Sequence, residues 1–196
     1  MLHWDGWNGN IKSRVQKLID LLDKLRKIAI TGPESTGKSM LAEQLATHYK
    51  TAWVPEFARE YLERNGFSYK EEDVLAIARG QLESEQQVMS KAAGFLFCDT
   101  EFIVTKIWSD VKYKRCHQWI LNQIETHRYD LYLLCDIDLP WEYDPLREHP
   151  EMRKELFELY CREITSRNFP FVIIRGFGSE RLNNAITLID DYFKIK

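Results

Sequence analysis

The chain is poor in the features that mark several protein classes. Its four cysteines, Cys98, Cys116, Cys135 and Cys161, form no Cys-x-x-Cys pair, which argues against a structural zinc site and a thioredoxin-type redox motif. Cys98 and Cys135 lie inside apolar runs, where a free thiol acts as a small hydrophobe. A reduced, cytoplasmic setting is the expectation. The five histidines show no metal-ligand spacing. No apolar run approaches the ~20 residues that span a bilayer, and the first residues, with Trp4 and Asp5, do not read as a signal peptide. A formal net charge of −3 gives no electrostatic reason to expect nucleic acid as a partner. There is no Asn-Lys-x-Asp segment to read guanine, no internal repeat and no Gly/Ser linker.

What remains is an ordinary globular composition, 44% apolar and 29% charged over 196 residues, enough for one substantial core. Short apolar runs alternate with longer amphipathic segments, the pattern of an α/β fold with a mainly parallel sheet. Five strands are expected, at Lys27–Thr31, Thr51–Pro55, Gly94–Asp99, Leu131–Asp136 and Phe171–Arg175. Helix faces are read from Leu41/Leu45/Tyr49, Val74/Ile77/Leu82/Met89, Met152/Leu156/Leu159/Glu163 and Leu182/Ile186/Ile189/Phe193. Ile11, Val15, Leu18, Leu22 and Leu25 mark an added N-terminal helix, which either packs on the sheet or joins two copies in a homo-oligomer. The chain therefore divides into an arm and amphipathic helix, residues 1–26, and one domain, residues 27–196.

The chemistry begins at Gly32-Pro33-Glu34-Ser35-Thr36-Gly37-Lys38-Ser39-Met40. Gly-x-x-x-x-Gly-Lys-Ser between a strand and a periodic helix is a phosphate-binding loop. Its backbone amides turn toward a β-phosphate at the positive end of the following helix. Lys38 supplies a charge between β- and γ-phosphates, and the Ser39 hydroxyl can ligate Mg²⁺. ATP and Mg²⁺ are the cofactors this implies. The carboxylate that completes such a metal site belongs at the end of an apolar strand. Asp99 and Asp136 both qualify, and Asp99 is preferred because Thr100 and Glu101 behind it open a helix.

Leaving the second strand, Glu56 would face the loop from a neighbouring strand end, placed to take a proton from an acceptor hydroxyl. Arg59 follows on the same helix face, placed to hold substrate hydroxyls or phosphate. The competing explanation is a helix start whose acids, Glu56 and Glu60, complement its dipole. Of the six prolines, three fall at Pro140, Pro145 and Pro150. That segment reads as a lid delivering Arg147 or Arg153 to a phosphoryl group, or as a rigid surface loop. After the last strand, a glycine turn with Arg181 can lie against an adenine base, or simply be a helix start capped by Ser179. Trp53, Trp108, Trp141 and Tyr143 offer surfaces for a planar cationic ring, or core packing.

In order, GPESTGKS, PEFAREY, FCDTEFIVTKIW, YDLYLLCDIDLPWEYDPLR and ERLNNAI resemble the nicotinamide riboside kinase domain of bifunctional bacterial NAD-biosynthesis regulators, over about residues 27–194. The resemblance implies a three-layer α/β/α P-loop NTPase fold and phosphorylation of the ribose 5′-hydroxyl of nicotinamide riboside, a nucleoside-like small molecule. It implies that Lys38 and Ser39 bind phosphates and Mg²⁺, that Asp99 serves the metal, and that Glu56 is the base. Asp144 and Arg147 match an Asp-x-Leu-Arg of the lid, with Pro145 where glycine is expected. Relatives serving other nucleosides or vitamins such as thiamine, and a regulatory ATPase switch that senses a pyridine nucleotide, are the alternatives.

Overall fold

The structure, a computed structural model, describes residues 25–195. The expected N-terminal helix and its homo-oligomer therefore lie outside the described residues. Five strands, β1 (Arg26–Thr31), β2 (Ala52–Val54), β3 (Phe95–Asp99), β4 (Leu131–Cys135) and β5 (Phe171–Ile174), form one parallel sheet in the order β2-β3-β1-β4-β5. β1 is central, so the loop that follows it opens between two neighbours, at the point where the strand order reverses. Open α/β sheets bind ligands there.

β3 and β4 are buried throughout and read as near-continuous apolar runs, because both faces of the sheet are covered. Pleating sends alternate residues to opposite layers. Ile28, Ile30, Phe97, Leu131 and Leu133 pack under α1 (Lys38–Tyr49) and α7 (Gly178–Phe193). Ala29, Leu96, Cys98, Tyr132 and Leu134 pack under the helices of the other layer. That layer holds α3 (Glu71–Met89), α4 (Phe102–Tyr113), α5 (Gln118–Thr126) and α6 (Arg153–Ser166), the last entered through a 3₁₀ turn at Pro150–Met152. A shorter helix, α2 (Phe57–Asn65), leaves β2 and packs Ala58 and Leu62 on Ile77 of α3.

Helix starts differ in a way that matters for function. Glu101 caps α4 through the Ile103 amide at 2.7 Å, and His117 caps α5 through the Trp119 amide at 3.0 Å. The start of α1 has no side-chain cap and no acidic residue in its first turn. Its orphan amides, with the positive end of the helix dipole, are left for an anion.

One expected stripe is shifted. The buried face of α6 is Leu156, Tyr160 and Ile164, not Leu156, Leu159 and Glu163. Glu163 instead pairs with Lys106 at 2.8 Å and Arg167 at 2.6 Å. The buried face is thus a second apolar stripe at four-residue spacing, with Leu159 partly buried beside it.

Candidate active site

The loop between β1 and α1 turns on two left-handed glycines, Gly32 (φ 129°) and Gly37 (φ 72°). A Cβ on Gly32 would stand 2.8 Å from the Cys135 carbonyl oxygen, so any larger residue would push the loop off β4. Lys38 Nζ donates to the Pro33 carbonyl at 2.8 Å, and Thr36 Oγ1 donates to the same oxygen at 2.8 Å. The lysine thus lies folded across the loop mouth, held by a neutral acceptor that an anion of higher charge can displace.

Asp99 ends β3 beside this loop and is fully buried. Neither of its carboxylate oxygens has a hydrogen-bond partner among the described residues. Burial, then the charge of Glu56, push its pKa up to about 7, against the opposing pull of Ser39, Lys38 and Arg59. The rival strand end is occupied otherwise. Asp136 accepts from the Ile137 amide at 2.7 Å and from Arg175 Nε at 2.7 Å. A buried, unpartnered carboxylate costs free energy unless something positive joins it, and Asp99 is the one in that state.

Glu56 is the residue that starts α2, with extended backbone (φ −63°, ψ 112°). Its placement depends on Gln81 of α3, a residue that carries no sequence signal of its own. The Gln81 side chain accepts from the Phe57 amide at 2.8 Å and donates to the carbonyls of Pro55 at 3.3 Å and Asp99 at 3.2 Å. One buried amide therefore ties the ends of β2 and β3 together on either side of Glu56. Gly80 beside it lets the Phe57 ring pass, since a Cβ there would meet that ring at 2.1 Å.

The segment after β4 folds back over the phosphate loop. Ser35 Oγ donates to the Pro140 carbonyl at 3.2 Å and accepts from the Glu142 amide at 2.9 Å. Arg147 donates to the Glu142 carbonyl at 2.6 Å and to Ser35 Oγ at 3.3 Å. Arg153 reaches the carbonyls of Leu139 at 2.9 Å and Ser35 at 3.1 Å. Arg59 and Asp144 pair across the opening at 2.8 Å. Arg181 is buried, and its guanidinium is spent on Asp138 at 2.8 Å and the Thr36 carbonyl at 2.8 Å. It ties the phosphate loop to the segment after β4. The exposed ring beside it in the cleft belongs to Phe177.

Two clefts result. One, a cavity of about 500 Å³, follows the phosphate loop from Glu34 through Met40, past Arg59 and Arg147 to Phe177 and Arg181. The other, about 110 Å³, has apolar and aromatic walls from Phe67, Tyr69, Ile107, Trp108, Leu156 and Tyr160. They share Glu34, Lys38, Glu56 and Leu146. Of the four aromatics considered from sequence, Trp108 lines the second cleft. Trp53 packs in the core on β2, while Trp141 and Tyr143 line neither cleft. Phe67 and Tyr69 come to the wall from the loop between α2 and α3 and Tyr160 from α6, a juxtaposition with no local signature.

The family described as AAA domain matches residues 27–181, a span that includes the phosphate loop, Asp99 and the segment after β4. The chain belongs to that family. Within it, the chain is similar to two curated proteins, each called trifunctional NAD biosynthesis/regulator protein NadR. That of Escherichia coli (strain K12) is 30% identical over 158 residues, covering 76% of this chain and 38% of the relative. That of Salmonella typhimurium (strain LT2) is 28% identical over 160 residues, covering 77% and 38%. This AAA-domain chain thus spans well under half the length of those relatives. Among solved structures, a NadR protein in complex with NR superposes with a TM-score of 0.78 at 24% identity, covering 91% of this chain and 53% of that one. A deoxyadenosine kinase from M. mycoides superposes at 0.61 and 13% identity, covering 84% and 99%. The fold is therefore the three-layer α/β P-loop fold. Among the described residues, no helix is long and apolar enough to cross a membrane.

Proposed function

We propose that the chain is an ATP-dependent kinase that phosphorylates the ribose 5′-hydroxyl of nicotinamide riboside, giving nicotinamide mononucleotide. The observation that carries this reading is the meeting of a phosphate cleft and an aromatic cleft at Lys38 and Glu56. A nucleotide that only switches a conformation needs no second cleft opening onto its γ-phosphate. A kinase needs one, with a proton acceptor at the junction.

The roles follow from position. The uncapped amides of α1 and Lys38 take the phosphates, and Lys38 stays with the phosphoryl group as it moves. Glu56 accepts the proton of the attacking hydroxyl. Arg59 and Arg147 border the nucleotide cleft, where they neutralise charge spread over the transferring oxygens. Trp108 and Tyr69, ring centroids 4.8 Å apart, present aromatic surface to a planar pyridinium ring, which binds well over such faces. The segment from Leu139 to Arg147 excludes water that would otherwise compete with the acceptor.

Mg²⁺ fits this arrangement, because both oxygens of buried Asp99, next to the Ser39 side chain, lack a partner among the described residues. Ser39 and Asp99 would hold it together with the nucleotide's own phosphates. No group of three or more His, Cys, Asp or Glu able to hold a metal occurs among the described residues. When bound, the ion supplies charge neutralisation across the β- and γ-phosphates.

The choice of acceptor draws on similarity to the NadR proteins, one of them solved with NR. The test is coupled ADP release against nicotinamide riboside, thiamine and common nucleosides. Stoichiometric ADP and nicotinamide mononucleotide are expected with the first. Turnover of another acceptor alone would replace the substrate, and ATP hydrolysis indifferent to every acceptor would replace the kinase by a switch.

A further inference from the structure

Glu34 sits in a loop built to hold phosphates, where a carboxylate facing the ligand would repel it. Its side chain is turned the other way. Oε1 accepts the Glu148 amide at 3.1 Å, and Oε2 accepts the His149 amide at 3.1 Å. These two amides precede the 3₁₀ turn that leads into α6. The contact continues through Glu148 itself. Its carboxylate accepts the Tyr69 hydroxyl at 2.8 Å and Lys112 Nζ at 3.1 Å. The Tyr69 oxygen in turn accepts Trp108 Nε1 at 2.6 Å. Glu34, Tyr69, Trp108, Glu148 and His149 all line the aromatic cleft.

We infer that Glu34 is a positioning residue that fastens the aromatic wall of the acceptor cleft to the phosphate loop, so that nucleotide in the loop strengthens acceptor binding. This rests on reading that cleft as the acceptor site. The physical case is geometric. Both carboxylate oxygens are used, each on a different main-chain amide, and charge-assisted bonds of this kind are stronger than neutral ones. A loop that moves to admit phosphates must carry Glu34 with it, and Glu34 is bonded to the wall. Because binding free energies are linked, the acceptor must in turn tighten nucleotide binding by the same factor.

Glu34→Ala removes both bonds, whereas Glu34→Gln keeps one acceptor oxygen. Hydrogen exchange at the amides of Glu148 and His149 should be fastest in Glu34→Ala and intermediate in Glu34→Gln. With an acceptor that the parental chain turns over, the acceptor Kd at saturating non-hydrolysable ATP analogue should rise about tenfold in Glu34→Ala, while the Kd of the analogue without acceptor moves less than threefold. Glu34→Gln should recover part of the loss. Unchanged exchange at the two amides overturns the inference, as does a comparable rise in the Kd of the analogue measured without acceptor, which would mean a damaged phosphate loop. If the parental chain phosphorylates no acceptor, the kinase reading fails on its own account. Slower exchange at residues 148 and 149 of the parental chain on adding a non-hydrolysable ATP analogue, abolished in Glu34→Ala, then still sustains the coupling, and its absence overturns it.

Discussion

The side-chain amide of Gln81 donates to the main-chain carbonyl of Asp99 at 3.2 Å, while its oxygen accepts the Phe57 amide at 2.8 Å. A glutamine in the middle of a helix thereby sets the spacing between the strand ends that carry Glu56 and Asp99. Gln81→Leu keeps the volume and removes these bonds, leaving the partly buried Phe57 amide without its side-chain partner. Loss of stability of about 1–3 kcal/mol is expected, read by urea unfolding. Turnover should fall more than the ATP KM rises, because Glu56 loses its placement and the phosphate loop does not.

Asp99 should show a conflict between stability and activity. Its folded-state pKa, about 7, lies above the ordinary aspartate value of about 3.9. A raised carboxylate pKa means the folded state binds the proton more tightly, so this group's contribution weakens as pH rises between those two values. Asp99→Asn removes the buried charge. At pH 8 without Mg²⁺, the variant should melt about 2–4 °C or more above the parent, and the gain should vanish by about pH 4. Phosphoryl transfer should fall on the order of 10²-fold or more.

Arg59 and Asp144 join α2 to the segment after β4 at 2.8 Å. Arg59 is nearly half exposed, so the pair itself contributes at most about 1 kcal/mol to stability. Its effect belongs to closure. Arg59→Ala and Asp144→Ala should each raise the acceptor KM roughly threefold to tenfold, converting up to about 1.4 kcal/mol into affinity, and Arg59→Ala alone should also lower turnover, because Arg59 borders the nucleotide cleft. In acceptor KM the double variant should be little worse than either single one. Additive losses would mean that the two residues act separately.

Far from the clefts, near the start of β1, Glu85 takes Lys27 at 3.3 Å, His127 at 2.7 Å and the Tyr129 hydroxyl at 2.8 Å. Burial raises its pKa, but His127, Lys27 and Tyr129 outweigh burial and hold it below the ordinary glutamate value. A lowered carboxylate pKa gives stability that is present above the unfolded value, about 4.3, and lost as pH falls through the folded one. Glu85→Gln should cost about 3–5 kcal/mol at pH 7, since Lys27 loses its buried partner. The variant's stability should then fall less steeply than the parent's below about pH 4.3.

The sheet was legible because its central strands are covered on both faces and therefore read as near-continuous apolar runs. The observed strand limits, such as Ala52–Val54 against the expected Thr51–Pro55, differ only at the frayed ends. The phosphate loop was legible because glycine geometry and lysine charge are local requirements. Less could be read of the second cleft. Tyr69, Trp108 and Tyr160 line one cleft only after the α2–α3 loop, α4 and α6 come together, and no spacing announces that. Gln81 was hidden for the same reason, a polar residue on an apolar helix face whose partners lie at two strand ends. The two strand-end aspartates look alike in sequence. They differ in whether a neighbour satisfies them, as Arg175 does for Asp136.

Glu56→Gln tests most directly the claim that a phosphoryl group crosses from one cleft to the other. ATP affinity, measured by calorimetry, should stay within a few-fold of the parent, while transfer to nicotinamide riboside falls by about 10²–10⁴. Transfer at the parental rate would contradict the account, because the residue at the junction of the two clefts would then take no part in the chemistry.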